Sequence, residues 1–505
     1  MPSEPASATV RAWLALWSVA VGLLGVAGCT PWSQYVHNGF KVGPNYCEPP
    51  VPVAETWIDA DDQRVRSEAA EVAQWWTVFG DPILNDLVQS AYAQNLTLRE
   101  AGYRILEARA QLGIAHGELF PQVQTSSGEF SARGVSVNVA NRSATPKRWY
   151  DQWDLGFGLT WELDFWGRFR RAIEASEATL DASVAQYDDV LVTLLADVAG
   201  NYVEYRTVEQ RIAYAEENVR VQRKILEMAT ARFQGGQTSA VDVNQAQSDL
   251  SSTEALIPRL RISLRHANNR LCILLGKPPE DLQSQLGTGA IPTAPSSVAV
   301  GIPADLLRRR PDVRRAERQA AAQCAQIGVA EADFYPQFLL NGSLGWGAEN
   351  FGNLFDSASL KGSVGPGFRW HLLNYGRILN NVRYQDARFH ELVTAYQQTL
   401  LKANEEVENG LVRFLESQAE TQALTESADA AKKSVDESMA QYQGGLTDMN
   451  RVAVLQERLV QRQERLAQSQ GEIAQGLVQV YRALGGGWPI RCASAEPLEM
   501  ASSEP

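Results

Sequence analysis

Apolar residues recur at spacings of three and four along two long stretches of the chain. In the first they fall at Tyr187, Leu191, Leu194, Val198, Tyr202, Tyr205, Val208, Ile212, Ala215 and Val219, then at Leu226, Ala229 and Phe233. That period places them on one face of a helix. No proline interrupts the chain between Pro146 and Pro258, and the run breaks at Gln234-Gly235-Gly236-Gln237-Thr238. Paired glycines accept the left-handed conformation that a helix C-cap needs. A second periodic run goes from Val241 to Leu275 and stops at Gly276-Lys277-Pro278-Pro279. The pattern predicts a helical hairpin. Its first arm, Gly167 to Gly235, would reach on the order of 100 Å at about 1.5 Å per residue. An ordinary globular core has no use for a helix of that length.

The hairpin is written twice. At an offset of 209 residues, Tyr187, Leu191, Val198 and Leu226 meet Tyr396, Leu400, Val407 and Val435. Phe233, Gly235, Gly236 and Thr238 meet Tyr442, Gly444, Gly445 and Thr447, and Leu275-Gly276 meets Leu484-Gly485. Upstream the offset is 215: Ala110, Gly113 and Ala115 meet Ala325, Gly328 and Ala330, and Pro121-Gln122 meets Pro336-Gln337. The change of six lies between Gln122 and Trp161, where a loop absorbs it. Matched glycines, prolines and tryptophans in one order mark two tandem copies of one unit.

Between each short helical pair and each hairpin the period changes to two. Leu155, Phe157, Leu159, Trp161 and Leu163 alternate with polar or small residues; Phe338, Leu340, Leu344 and Trp346 do likewise, as do Val364, Phe368, Trp370 and Leu372. Such alternation predicts strands with one apolar face. The stretch Gln122 to Arg133 alternates poorly and is placed as a strand because the repeat requires it. Strands of about 9–11 residues suffice to cross a bilayer when tilted. Pro366 inside one of them predicts a bulge or a shifted strand start. Residues 134–151 and 347–360 are then the outer loops. Helices precede each strand pair. Asp81-Pro82 is a helix start as N-cap and N1, with Leu84, Leu87, Val88 and Tyr92 on one face, and a helix from Thr97 to about Leu119 follows. Their counterparts are expected near Pro303–Arg309 and Asp312–Phe334.

The division that follows is 1–28 as a targeting segment, 29–74 as an extended segment, 75–276 as the first repeat, 277–302 as a Pro-, Ser- and Ala-rich linker, 303–487 as the second repeat and 488–505 as a disordered tail. In the first segment Arg11 precedes an apolar run, Ala12 to Gly28, short for a membrane span. Its end, Leu24-Gly25-Val26-Ala27-Gly28-Cys29, resembles a bacterial lipobox, which implies lipidation of Cys29. Thr30, not aspartate, implies outer-membrane sorting.

The 505 residues carry 46 basic and 59 acidic side chains for a net charge of −13. With no basic tract, nucleic acid is not an expected partner. The cysteines at 29, 47, 272, 324 and 492 show no metal-ligand spacing. Cys47 and Cys492 are either paired or free thiols. There is no phosphate loop, HExxH, nucleophile elbow or dinucleotide fingerprint, so neither a catalytic site, a metal nor a cofactor is expected.

Several stretches together resemble one family. They are Trp75-Trp76 with Asp81-Pro82, residues 111–115 (Gln-Leu-Gly-Ile-Ala), residues 161–168 (Trp-Glu-Leu-Asp-Phe-Trp-Gly-Arg), residues 303–312 (Pro-Ala-Asp-Leu-Leu-Arg-Arg-Arg-Pro-Asp) and residues 42–46 (Val-Gly-Pro-Asn-Tyr). The chain is similar over nearly its whole mature length to the NodT-type outer-membrane efflux lipoproteins, relatives of TolC. Cys47 is a departure from that pattern. The resemblance implies a mainly α fold with a transmembrane β-barrel: a homotrimer closing a twelve-stranded barrel in the outer membrane, continued by a helical barrel into the periplasm. It implies a passive exit duct for small molecules such as drugs, toxic organics or metal ions, serving a periplasmic adaptor and an inner-membrane pump of the RND type. The hairpin tips, Arg232, Phe233, Gly235, Gly236 and Thr238 with Gln441, Tyr442, Gly444, Gly445 and Thr447, are the expected adaptor contacts. Glu227 and Asp436, repeat-equivalent and two turns before each tip, are the candidate periplasmic gate. Gathered by a trimer, these carboxylates would repel one another and favour cations. Two alternatives are an outlet for type I protein secretion and a periplasmic coiled-coil scaffold lipoprotein.

Overall fold

The computed structural model describes residues 31–68, 72–136, 138, 140, 147–304 and 309–493. In chain order the main elements are helix α1 (Trp32–His37), strand β1 (Val65–Arg66), a 3-10 turn (Trp75–Phe79), α2 (Pro82–Gln94), α3 (Leu96–Gly117), β2 (Val123–Gly134), β3 (Trp149–Leu163), α4 (Arg168–Gln234) and α5 (Ala240–Leu274). They continue with β4 (Val298–Ala299), α6 (Pro311–Ala332), β5 (Gln337–Ala348), β6 (Leu360–Arg369), α7 (Arg377–Gln443), α8 (Met449–Ala483) and α9 (Ile490–Ala493). The long arms α4 and α7 are 67 residues each, and the return arms α5 and α8 are 35 each. Equal lengths in both copies make the repeat a structural one.

The chain folds into two compact units, and each draws on both repeats. One comprises residues 1–50, 105–183 and 316–396; the other comprises 51–104, 184–315 and 397–505.

The first unit holds a four-stranded antiparallel sheet in the order β2-β3-β5-β6. Its strands run 12, 15, 12 and 10 residues. The expected bulge at Pro366 is absent: Leu340 pairs with Pro366 in a register that continues without a break from Gln337–Arg369 to Trp346–Leu360. β6 is an edge strand within one chain, and Pro366 sits in it without interrupting its pairing with β5. Both repeats fix the sheet to the preceding helix in one way. The Trp161 indole donates to the Leu119 carbonyl at 3.2 Å, and its repeat-equivalent Trp370 donates to the Phe334 carbonyl at 2.9 Å.

The N-terminal segment is also seated in this unit. Arg171, buried near the start of α4, donates to the carbonyls of Val42 and Gly43 and to Asn45 Oδ1, at 3.0, 3.0 and 2.9 Å. A Cβ on Gly43 (φ +84°) would collide with the backbone of Gly328, so the strap lies flush on α6. Tyr35, Val42, Ala332 and Tyr335 form a small buried cluster beneath it.

The second unit holds the larger core. Asp81 caps α2 by accepting from the amides of Ile83 and Leu84 at 2.8 and 3.2 Å, as Asp-Pro predicts. Leu84, Leu87, Val88 and Ala91 then face Leu191, Leu195, Val198 and Tyr202 of the long arm in one apolar cluster. Most of the periodic face of α4 is buried as read; Phe233, at the tip, is exposed. Trp75 stacks on Tyr481 with centroids 5.4 Å apart. Each such fully buried large side chain contributes about 1.5–3 kcal/mol.

Two stretches outside the repeats, the linker and the tail, contribute to that core. In the linker, Leu282, Leu286, Val298 and Val300 are buried, and β4 pairs in parallel with β1. Arg206, wholly buried, donates to the carbonyls of Leu286 and Gly287 at 2.6 and 2.9 Å and to Glu209 at 2.7 Å, which satisfies a charge that would otherwise be costly to bury. The expectation of a disordered tail does not hold for residues 488–493. Ile490 is buried, and Arg491 forks onto the buried carboxylate of Asp188 at 2.5 and 3.1 Å. A short apolar segment with one basic residue found an acid 303 positions away; composition alone concealed it. The described cysteines are free thiols, with Cys47 and Cys492 exposed and Cys272 and Cys324 buried.

Candidate channel wall and docking tips

The sheet has two chemically distinct faces. On one, Leu155, Phe157, Trp161 and Leu163 of β3 oppose Trp346, Leu344, Leu340 and Phe338 of β5, which oppose Leu360, Gly362, Pro366 and Phe368 of β6. Several of these large apolar groups are open to the surroundings, Val364 at 80% and Phe368 at 71%. On the other face Thr160 donates to Asn341 at 3.1 Å, and Ser343 and Ser363 share a hydrogen bond of 2.8 Å. Glycines 156, 158, 345 and 365 fill the gaps between these polar groups. Exposed apolar side chains on one face, with short polar ones on the reverse, suit lipid outside and water inside. Among the described residues no helix is long and apolar enough to cross a membrane.

The hairpin tips are built alike. Gly235, Gly236 and Gln237 donate backward to the carbonyls of Ala231, Phe233 and Arg232 at 3.0, 3.0 and 2.9 Å; Gly444, Gly445 and Leu446 donate to Ala440, Tyr442 and Gln441 at 3.0, 3.0 and 2.9 Å. Gly236 and Gly445 take φ of +69° and +73°. This is why each tip needs its glycine pair. The return helices start differently. Asp448 accepts from the Arg451 amide at 2.9 Å, whereas Ser239 makes no side-chain cap and Thr238 instead donates to Asp242.

The two tips of one chain pack together. Arg232 lies over the Tyr442 ring, 4.7 Å from its centroid, and donates to the Tyr442 carbonyl. Ile225, Ala229, Ala246, Tyr442, Met449 and Val452 form a local buried cluster behind them. Burial of its ring raises the Tyr442 hydroxyl above its usual titration range. The tip surface is left with Phe233, Val241 and Leu446 exposed, the last at 82%; Gln441, Gly444 and Gly445 are exposed and Thr447 half-buried. Glu227 and Asp436 are both exposed on their helices. Cys29 lies outside the described residues.

With a two-faced strand sheet and duplicated long hairpins in hand, comparison with known proteins is direct. The profile of a family described as outer membrane efflux protein matches residues 87–277 and 302–486. The chain belongs to the outer membrane efflux protein family. It is 31% identical to nodulation protein T of Rhizobium leguminosarum bv. trifolii, over 83% of this chain and 88% of the relative. It is 30% identical to the solvent efflux pump outer membrane protein SrpC of Pseudomonas putida, over 90% and 96%. The solved outer-membrane channel OprN superposes with a TM-score of 0.83 at 31% identity, covering 88% of this chain and 99% of that one. The chain is therefore an outer-membrane efflux channel protein with a TolC-like fold.

Sequence reasoning missed three features of this efflux protein. Arg171 and the strap it holds left no periodic signal. The Arg232–Tyr442 contact joins residues 210 apart. The third is an ion pair between Asp154 and Lys361 on the polar face of the sheet. Isolated charges in otherwise alternating strands were the one available hint of it.

Proposed function

We propose that three copies of this chain assemble as the exit duct of a tripartite efflux pump. The observation that carries the reading is the sheet itself. It has one lipid-compatible face, yet among the described residues both edges, β2 and β6, have no further strand beside them. Open strand edges are not tolerated in hydrocarbon, so the sheet must close on further copies. Three four-stranded sheets make a twelve-stranded barrel, and the paired hairpins of three copies make a periplasmic tube. The duct supplies no energy. An inner-membrane pump of the RND type, joined to the duct by a periplasmic adaptor, drives drugs, toxic organics or metal ions outward. Lipid on Cys29 tethers the N-terminal strap to the membrane.

The tips, with Phe233, Val241 and Leu446 uncovered around the glycine pairs, are the adaptor-docking surface. The exposed carboxylates of Glu227 and Asp436 form the gate when three copies bring them together. Asp436→Ala is expected to raise single-channel conductance and drug leakage; a channel unchanged by it removes the gate assignment.

The deciding experiment places a photo-crosslinking residue at Gln237 in living cells. Capture of an adaptor that works with a proton-driven pump supports the efflux reading. Capture of an adaptor from an ATP-driven exporter moves the protein to type I secretion. Capture of nothing but itself, with expression confirmed, removes the docking role and favours a scaffold.

A further inference from the structure

The polar face of the sheet carries an arrangement that neither the fold nor membrane insertion requires. Glu129 of β2 and Asp154 of β3 are direct cross-strand partners. Like charges directly opposite one another destabilise a sheet unless something offsets them. Two bases do so. Arg133 approaches Glu129 at 3.9 Å, and Lys361 pairs with Asp154. Gln152 adds a donor to Asp154 at 3.3 Å.

The Asp154–Lys361 pair joins β3 to β6 and must pass over β5, which lies between them. It does so at Gly347, the register partner of Asp154. A Cβ built there would stand 2.9 Å from Asp154 Oδ1, 3.1 Å from Lys361 Nζ and 3.2 Å from Gln152 Nε2. The absence of a side chain at Gly347 is what leaves a passage for the pair. Its backbone has no left-handed φ to explain the glycine otherwise. The Lys361 and Glu129 side chains are 60% and 65% exposed, on the face that looks away from lipid.

We propose that Glu129, Arg133, Asp154 and Lys361 form a charge-balanced belt on the inner wall near the hairpin-loop end of the barrel, and that this balance keeps the barrel wall from adding a charge preference of its own to that of the carboxylate gate. The inference rests on the closed-barrel reading above. Two acids and two bases at one level cancel, so the belt presents cationic and anionic solutes with the same barrier. Charged rings of a single sign would select between them. The belt thus suits a duct that passes substrates of either sign and leaves the choice to the pump.

The test is reversal-potential measurement in planar bilayers under a potassium chloride gradient, with purified full-length protein. Lys361→Gln leaves the two acids in excess and shifts the channel to cation selectivity. Asp154→Asn shifts it toward anions. The double variant returns to the wild-type ratio. Each shift is larger at about 0.1 M salt, where the screening length is about 10 Å, than at about 1 M, where it is about 3 Å. Unchanged ratios in variants that conduct at wild-type level overturn the proposal alone. A wild-type protein that forms no channel overturns the barrel reading, and this inference with it.

Discussion

Asn95 and Arg310 occupy equivalent places in the two repeats and close the same helix end by different chemistry. Asn95 Nδ2 donates to the Leu274 carbonyl at 2.9 Å, at the end of α5; Arg310 Nη1 donates to the Ala483 carbonyl at 2.8 Å, at the end of α8. The glycine after each end, Gly276 or Gly485, packs against the backbone beside its donor. The last carbonyls of a helix lack intrahelical partners, so a buried end needs such a donor. Arg310 also pairs with Asp312 at 2.8 Å and Glu406 at 2.7 Å.

Removing these donors should cost unequal amounts. Asn95→Ala loses the bond to Leu274 and the N-cap bond to Leu98, for about 1–2 kcal/mol. Arg310→Ala loses the bond to Ala483 together with the ion pairs to the half-buried Asp312 and the exposed Glu406, and should cost more, about 2–3 kcal/mol. Thermal unfolding of the purified variants in detergent measures both. Equal losses would show that the ion pairs of Arg310 contribute nothing beyond the cap.

Stability should also depend on the protonation of Asp189. Burial, then the neighbouring Asp312, raises its carboxyl above the ordinary value of 3.8, against the pull of Arg315, Arg310 and Arg482. The folded state therefore holds this proton more tightly than the unfolded chain. Its contribution is fully present below 3.8 and is lost as pH rises through the raised value. Asp189→Asn should flatten this part of the melting-temperature profile, the part that falls as pH rises above the ordinary value of 3.8. A variant profile parallel to the wild type would refute the assignment.

Arg232 ties the tip of one hairpin to the tip of the other through Tyr442. Arg232→Ala removes the stacking and the hydrogen bond, together worth about 1–2 kcal/mol. Its expected result is a looser tip and a higher single-channel conductance, with Arg232→Lys intermediate because a lysine keeps the charge without the planar fork. Wild-type conductance in Arg232→Ala would mean that the contact only packs the hairpins.

Arg171 holds the strap by two carbonyls and Asn45. Arg171→Ala should free residues 38–48 for limited proteolysis while the sheet, which Arg171 does not touch, keeps its resistance. Cleavage of the variant at the wild-type rate would show that Gly43 and the buried Tyr35 cluster hold the strap unaided.

Much of this protein was written in local pattern. The period of 3.6 and the glycine pairs set the hairpin arms to within a residue or two: Gly167–Gly235 was expected where α4 spans Arg168–Gln234, and Val241–Leu275 where α5 spans Ala240–Leu274. Alternation located β3, β5 and β6. β2 needed the repeat, because Gln124, Ser126 and Gly128 occupy the positions where its apolar face should be. These features are legible because a helix or strand is decided by neighbours a few residues apart. The tertiary structure alone decided the rest. It interleaved both repeats in each compact unit, gave Asp188 its partner Arg491, and carried Lys361 across Gly347 to an aspartate 207 positions away. Such pairings depend on strand register and helix packing, which bring together charges that are isolated in the sequence and carry no period by which to find them.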